Sequence, residues 1–252
     1  SNTIGHTRFE TTNNAVFSII SALSDGVTVK LSGIDGYPNG YEFQKIDANT
    51  LQTDGYKAVA EMMNGVSDKT GIKVKVNNTQ IFSDAVSAGT VQGLAINGVM
   101  IGNIKMQAND ADNALIGAIN AKKDETGVEA SLDNGRLVLA AKDGRAIRIG
   151  AFSESAKYLG AGQNLSGASA ASGQALASAG VVFLGQITFV RQDARDIKVG
   201  LDGLSIVSGL SCANFTNNVS ASNSYNQASV NLKYMNSGTI ISDMAKAMGF
   251  FD

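Results

Sequence analysis

Side chains that could perform chemistry are scarce in this chain and poorly spaced for it. His6 is the one histidine among 252 residues, and neither a cysteine nor an acidic cluster stands near it in the sequence. A Ser-His-Asp or Cys-His relay would rest on that single remote ring, and an HExxH zinc helix needs two histidines four residues apart. Cys212 is the one cysteine. It excludes an internal disulfide and a thiolate metal cage, and with Ser211 beside it and no cation to favour a thiolate it reads as a small apolar residue. Asp110-Ala111-Asp112 opens like a calcium loop, but the fifth, sixth and twelfth positions are Ala114, Leu115 and Ala121, where that loop needs a ligand, a glycine and a bidentate glutamate. These acids suit a helix start instead. The glycine-rich run GAGQNLSG, beginning at Gly160, lacks the Gly-Lys-Ser/Thr of a phosphate loop. Asp124 and Glu125 adjoin Lys122 and Lys123 at a helix end, where surface pairing accounts for them. No catalytic, cofactor or metal residue is assigned, and no enzyme is expected.

Modification is the remaining chemistry. Asn-x-Ser/Thr sequons occur at Asn77, Asn164, Asn214 and Asn218, a short pattern that arises readily in Asn- and Ser-rich sequence. Ser166, Ser169, Ser172, Ser178, Ser205 and Ser208 are candidate sites for O-linked sugars, and an unmodified polar surface fits the residues equally well.

The composition describes a chain able to fold: 44% hydrophobic residues, a net charge of −2, and no run of Lys or Arg longer than a pair. Such a surface would not neutralise a phosphate backbone, so nucleic acid is not expected as a partner. Uninterrupted apolar runs such as residues 181–184 are far short of the roughly 20 residues of a membrane span. The start of the chain, SNTIGHTRFE, has no basic stretch followed by an apolar core, so no secretory signal is read there. With 28 Gly, one Pro and no Trp, the composition suits many short strands joined by glycine turns, and the fold class expected is α+β and β-rich.

Residues 94–149 carry the clearest local signals. Asn97-Gly98 tolerates the positive φ of a tight hairpin and leads into an apolar strand, 99–106. Asn109, Asp110 and Asp112 precede Ala114, Leu115, Ala118 and Ile119, the start of a capped amphipathic helix, and Gly127 is its left-handed stop. Val128, Ala130 and Leu132 alternate with polar residues, and Asn134-Gly135 and Asp143-Gly144 mark hairpin turns on either side of Leu137, Val138 and Leu139. A constant offset of 56 residues places Asn64, Asp68, Thr70 and Gly71 on Asn120, Asp124, Thr126 and Gly127, and Ile72, Val74 and Val76 on Val128, Ala130 and Leu132. Residues 27–82 are therefore read as a diverged copy, and the chain as two related ββαββ-like modules.

The remainder is read around them. Residues 4–11 alternate as an edge strand or an extended entry segment, and Val27, Val29 and Leu31 share one strand face. Residues 160–180 hold almost only small residues and read as a surface loop or linker. Strands at 183–190 and 197–199 flank a hairpin turn at Arg191-Gln-Asp-Ala-Arg-Asp196, and 203–210, 228–232 and a short helix at 242–248 complete a C-terminal β segment. The organisation expected is an opening strand region at 1–26, modules at 27–90 and 91–159, the loop at 160–180, and a β-rich segment at 181–252.

The central module also resembles the IN motif of flagellins. Its Ile-Asn-Gly, Ala-Ile-Asn, Thr-Gly-Val, Asn-Gly-Arg-Leu and Asp-Gly-Arg-x-Ile signatures are matched at 96–98, 118–120, 126–128, 134–137 and 143–147. Stretches at 4–11, 68–74, 185–199, 227–232 and 244–250 are similar to flagellins of spiral, polar-flagellated Gram-negative bacteria. The resemblance implies a structural subunit of the bacterial flagellar filament, here its solvent-exposed central domains without the polymerising terminal helices. It implies extracellular location after export by the flagellar apparatus, other flagellin subunits as partners through regions outside this chain, covalent O-glycans, no membrane partner, no cofactor, and a monomeric state for these domains alone. It also implies chain ends that lie near each other. The flagellar cap, a hook-associated protein and a carbohydrate-binding adhesin are the alternatives. The absence of Trp and an aromatic content of 6% disfavour the last.

Overall fold

The computed structural model describes residues 7–10, 16–18, 26–152, 155–160, 169–170, 181–191 and 197–202. The elements are β1 (Thr7–Glu10), β2 (Val16–Ser18), β3 (Thr28–Ser32), β4 (Tyr41–Glu42), α1 (Ala48–Asp54), α2 (Tyr56–Asn64), α3 (Ser67–Thr70), β5 (Ile72–Ala85), β6 (Gly89–Ile96), β7 (Val99–Met106), α4 (Ala114–Asn120), α5 (Lys123–Thr126), β8 (Glu129–Asp133), β9 (Arg136–Ala141), β10 (Ile147–Phe152), β11 (Ser169–Ala170), β12 (Val181–Phe183), β13 (Gln186–Arg191) and β14 (Lys198–Asp202). They form a five-stranded sheet ordered β1-β13-β5-β9-β8, a second sheet ordered β2-β12-β10-β6-β7 with β11 beside β10, and a third ordered β14-β3-β4. The architecture is α+β and β-rich, as composition and turn chemistry indicate.

Two apolar clusters hold these layers together. The first gathers Val29 and Leu31 from β3, Val59 and Met63 from α2, Ile72 and Val74 from β5, and Ile187 and Phe189 from β13. The second gathers Leu94 and Ile96 from β6, Leu115 and Ile119 from α4, Leu137 and Leu139 from β9, and Ile147 and Ile149 from β10. Helix α4 packs on both β7 and β8, so it closes the second cluster where those two edge strands lie. The 14-residue β5 serves both clusters, with Ile72 and Val74 in the first and Phe82 in the second. Where it crosses between them, the fully buried Asn78 donates from Nδ2 to the carbonyls of Arg145 (2.8 Å) and Phe183 (3.0 Å) and accepts from Gln80 Nε2 at 2.8 Å. Those bonds satisfy an amide that would otherwise be expensive to bury.

Several expected turns and strands are as read. Asn97-Gly98 joins β6 to β7 with φ of 50° and 77°, and Asn134-Gly135 joins β8 to β9 with φ of 50° and 77°. β1 lies at the edge of its sheet, and Val27, Val29 and Leu31 are all buried.

Other expectations are corrected. Residues 183–190 are not one strand: the chain breaks at Leu184-Gly185, where Gly185 has φ 103°, and β12 and β13 enter different sheets. The strands on either side of 191–196 do not pair as a hairpin: β13 is flanked by β1 and β5 while β14 pairs with β3, burying Ile197 and Val199 in the first cluster. Asp143-Gly144 turns the chain but makes no hairpin. β9 lies between β5 and β8, so β10 passes to the second sheet. The first module also departs from ββαββ. Its fourth strand is β13, which pairs with β5 from Ile72↔Arg191 to Asn77↔Gln186, so residues 78–185 leave and return between two paired strands. The C-terminal strands and helix expected beyond residue 202, and most of the loop at 160–180, lie outside the described residues.

Candidate functional site

The repeat offset turns out to mark one hydrogen-bonded device built twice. Asn120, at the end of α4, reaches ten residues forward: its Nδ2 donates to Ala130 O at 2.9 Å and its Oδ1 accepts from Ala130 N at 2.7 Å. Asn64, at the end of α2, does the same to Val74, with both bonds at 2.8 Å. In each copy a short helix follows and ends at a left-handed glycine, Gly71 (φ 72°) or Gly127 (φ 74°). In each the preceding threonine hydroxyl accepts the second amide beyond it, Thr70 from Ile72 N at 3.2 Å and Thr126 from Val128 N at 3.0 Å.

The reason for a carboxamide is visible in the sheets. Among the described residues β8 is an edge strand, and the part of β5 that holds Val74 pairs only with β13. Each strand therefore turns a free N–H and C=O outward. Asn, with one donor and one acceptor in the geometry of a peptide group, covers that pair as another strand would and blunts the edge against further pairing.

Asn97 adds a third clasp. Its Nδ2 donates to Thr126 O at 2.8 Å and its Oδ1 accepts from Arg148 N at 2.8 Å, tying the β6–β7 turn to the end of α5 and the start of β10. Asp110 settles the calcium-like start. It is fully buried, with φ 48°, and its two carboxylate oxygens accept from Leu115 N (2.9 Å) and Ile116 N (3.0 Å) at the first turn of α4. Asn113, the residue that borders the helix, makes no side-chain cap, so the cap is supplied from outside the usual position.

Charges near this module neutralise one another. An open cleft of about 300 Å³ is lined by Lys123, Asp124, Gly127, Val128, Glu129, Ala140, Lys142 and Asp143. Lys142 pairs with Glu129 at 2.9 Å, and that hydrogen bond holds the Glu129 carboxyl below its ordinary range. Asp143 pairs with Arg145 at 2.7 Å and with Lys57 of α2 at 3.6 Å. The Arg145 hydrogen bond, against the opposing effect of burial, lowers the Asp143 carboxyl to about 2. Among the described residues no group of His, Cys, Asp and Glu could hold a metal ion, and no helix is long and apolar enough to cross a membrane. The geometry braces strands and turns.

The modification candidates are scattered. Asn77 is exposed on β5, with its backbone paired to Gln186 and its Oδ1 accepting from Thr79 Oγ1 at 3.3 Å. The backbone of Ser169 lies in β11 beside β10. His6, Cys212, Asn164, Asn214, Asn218, Ser166, Ser172, Ser178, Ser205 and Ser208 lie outside the described residues. Sequence reasoning found the spacing of Asn64 and Asn120 but not their role. The signal available was an asparagine ten residues ahead of an alternating strand, on both sides of the offset.

The family described as the flagellin hook IN motif matches residues 93–143, which contain Asn97, Asp110 and Asn120. Flagellin B of Helicobacter pylori is 37% identical over 205 residues, which make up 79% of this chain and 38% of that protein. Flagellin A of Helicobacter felis is 34% identical over 178 residues, 70% of this chain and 34% of that protein. The chain thus spans less than two fifths of the length of these relatives. A crystal structure of the flagellar cap protein FliD from Helicobacter pylori is similar at a TM-score of 0.30 and 18% identity, covering 77% of this chain and 62% of that one, too distant to carry an argument. Residues 93–143 match the flagellin hook IN motif, and the chain is similar over most of its length to the Helicobacter flagellins.

Proposed function

We propose that this chain is the central, solvent-facing part of a flagellin, the structural subunit of the bacterial flagellar filament. The observation that carries the reading is the 37% identity to Helicobacter pylori flagellin B across 79% of the chain. The repeated asparagine clasps support it, since they stiffen edge strands and build no reaction centre. Polymerisation belongs to segments of the full-length subunit outside this chain, and the chain by itself is monomeric. The subunit reaches the cell exterior through the flagellar export apparatus without a cleaved signal peptide. The module boundaries at 27–90 and 91–159 and O-linked sugars at Ser166, Ser169, Ser172, Ser178, Ser205 and Ser208 belong to the same reading.

The test is to express the full-length gene in its native host with an epitope in the β8–β9 turn, at its exposed tip residue Asn134, and to label intact flagella. Label along the whole shaft is expected. Label confined to the tip or the hook junction would replace the filament reading with a cap or hook-associated role. Intact mass of the same flagellin examines the sugars, and an unmodified mass refutes them.

A further inference from the structure

Four Asn-Gly pairs occur in the chain, at 39–40, 64–65, 97–98 and 134–135, and the fold treats them differently. An asparagine followed by glycine can lose its amide when the glycine backbone nitrogen attacks the side-chain carbonyl carbon. That step needs a carboxamide free to turn and a backbone N–H free to lose its proton. Asn64 and Asn97 each have both carboxamide atoms held by backbone partners. Gly65 N also donates to Glu61 O at 3.1 Å. At the third pair Gly40 N donates to Tyr37 O at 2.9 Å, which engages the attacking nitrogen.

Asn134 differs on both counts. It is exposed at the tip of the β8–β9 turn, and among the described residues neither its carboxamide nor the N–H of Gly135 has a hydrogen-bond partner. We propose that Asn134-Gly135 is a spontaneous modification site, the one Asn-Gly pair of the folded protein poised to convert to aspartyl and isoaspartyl. The deprotonated Gly135 nitrogen bonds to Asn134 Cγ, the Cγ–Nδ2 bond breaks, and ammonia leaves with the proton returned from solvent. Water then opens the five-membered imide at either carbonyl. Nothing is oxidised or reduced, and hydroxide and water are the only co-reactants.

The turn is sensitive to the product. Gly135 O accepts Val86 N at 2.9 Å, and the Asn109 side chain packs so closely over Gly135 that a Cβ there would lie 2.4 Å from its Oδ1. Opening the imide to isoaspartyl adds a backbone carbon to a two-residue turn, which shifts the register of β8 against β9 and pulls on the Val86 tether. The inference is independent of the filament reading.

The experiment holds the folded chain in mildly alkaline buffer at physiological temperature and follows the four sites by peptide mapping, with isoaspartyl scored by resistance to cleavage at aspartate. Because two hydrogen bonds must break before Asn97 or Asn64 can react, Asn134 is expected to convert roughly tenfold or more faster than either. In urea the four sites are expected to approach a common rate. Earlier conversion of Asn39, Asn64 or Asn97 in the folded chain, or the same ranking with and without urea, overturns the proposal. Asn134→Gln is expected to remove the fast phase and leave the slow sites unchanged.

Discussion

Replacing Asn120 by alanine examines the edge-strand clasp directly. The carboxamide makes two bonds to Ala130, at 2.7 and 2.9 Å, on a strand with no neighbour on that side among the described residues. A typical net value of about 1 kcal/mol for each bond, with the added penalty of leaving a partly buried peptide group half satisfied, gives a loss of about 2–3 kcal/mol for Asn120→Ala. Asn64→Ala removes the same pair of bonds from Val74, but Asn64 is exposed, so water replaces part of the loss and about 1–2 kcal/mol is expected. Asn120→Asp is the sharper variant, because a carboxylate can accept from Ala130 N but cannot donate to Ala130 O. It should be nearly as damaging as alanine at neutral pH. The described residues form two apolar clusters, so a single denaturation midpoint need not report the local effect. Urea titration is therefore paired with hydrogen exchange at the Ala130 and Val128 amides, where Asn120→Ala should accelerate exchange while amides of β3 stay protected. Equal exchange at Ala130 in wild type and Asn120→Ala, or a stable Asn120→Asp, would refute the idea that the asparagine stands in for a missing strand.

Four further outcomes follow from the same geometry. Asp110→Ala removes the carboxylate that caps α4 and places alanine at φ 48°, so a loss of at least about 2 kcal/mol is expected in thermal or urea unfolding, with Asp110→Asn milder because it keeps an acceptor. Asp143 has a folded pKa near 2, depressed from 3.8, so its ion pair with Arg145 stabilises the fold fully above the unfolded pKa and loses that contribution as pH falls through about 2. Exposure of the pair limits its value to about 1 kcal/mol, so urea midpoints of wild type and Asp143→Asn should differ at pH near 6 and converge as pH approaches 2. Gly93→Ala should destabilise by about 2 kcal/mol or more, since φ is 58° and a Cβ would lie 2.3 Å from the Phe152 ring. Gly117→Ala, in exposed helix with nothing within 4 Å, should stabilise by about 0.5–1 kcal/mol in the same assay.

Much of the local structure was legible in the residues because its causes are local. Asn97-Gly98 and Asn134-Gly135 specify tight hairpins through backbone freedom alone, and Gly71 and Gly127 end helices for the same reason. The 56-residue offset carried a real physical identity, since the aligned asparagines, threonines and glycines occupy the same hydrogen-bonded positions. The absence of an assigned reaction centre followed from residue supply, with one histidine and one cysteine in the whole chain.

Pairing between distant strands was not legible. Residues 186–191 have the alternation of a strand that could turn back on 197–199, and only the tertiary structure decides that β5 and β1 take both of its edges. Likewise Asp143-Gly144 has the residues of a hairpin turn, but β9 already has two neighbours, and the chain crosses to the other sheet. A strand's alternation states which side chains it buries and says nothing of which backbone it meets, because every strand offers the same N–H and C=O groups. The sequence by itself determined the tight turns, the helix stops and the 56-residue repeat in spacing. Which strands share a sheet, and which asparagine covers which free edge, was decided only when the two apolar clusters closed, since burial of side chains selects among otherwise equivalent backbone pairings.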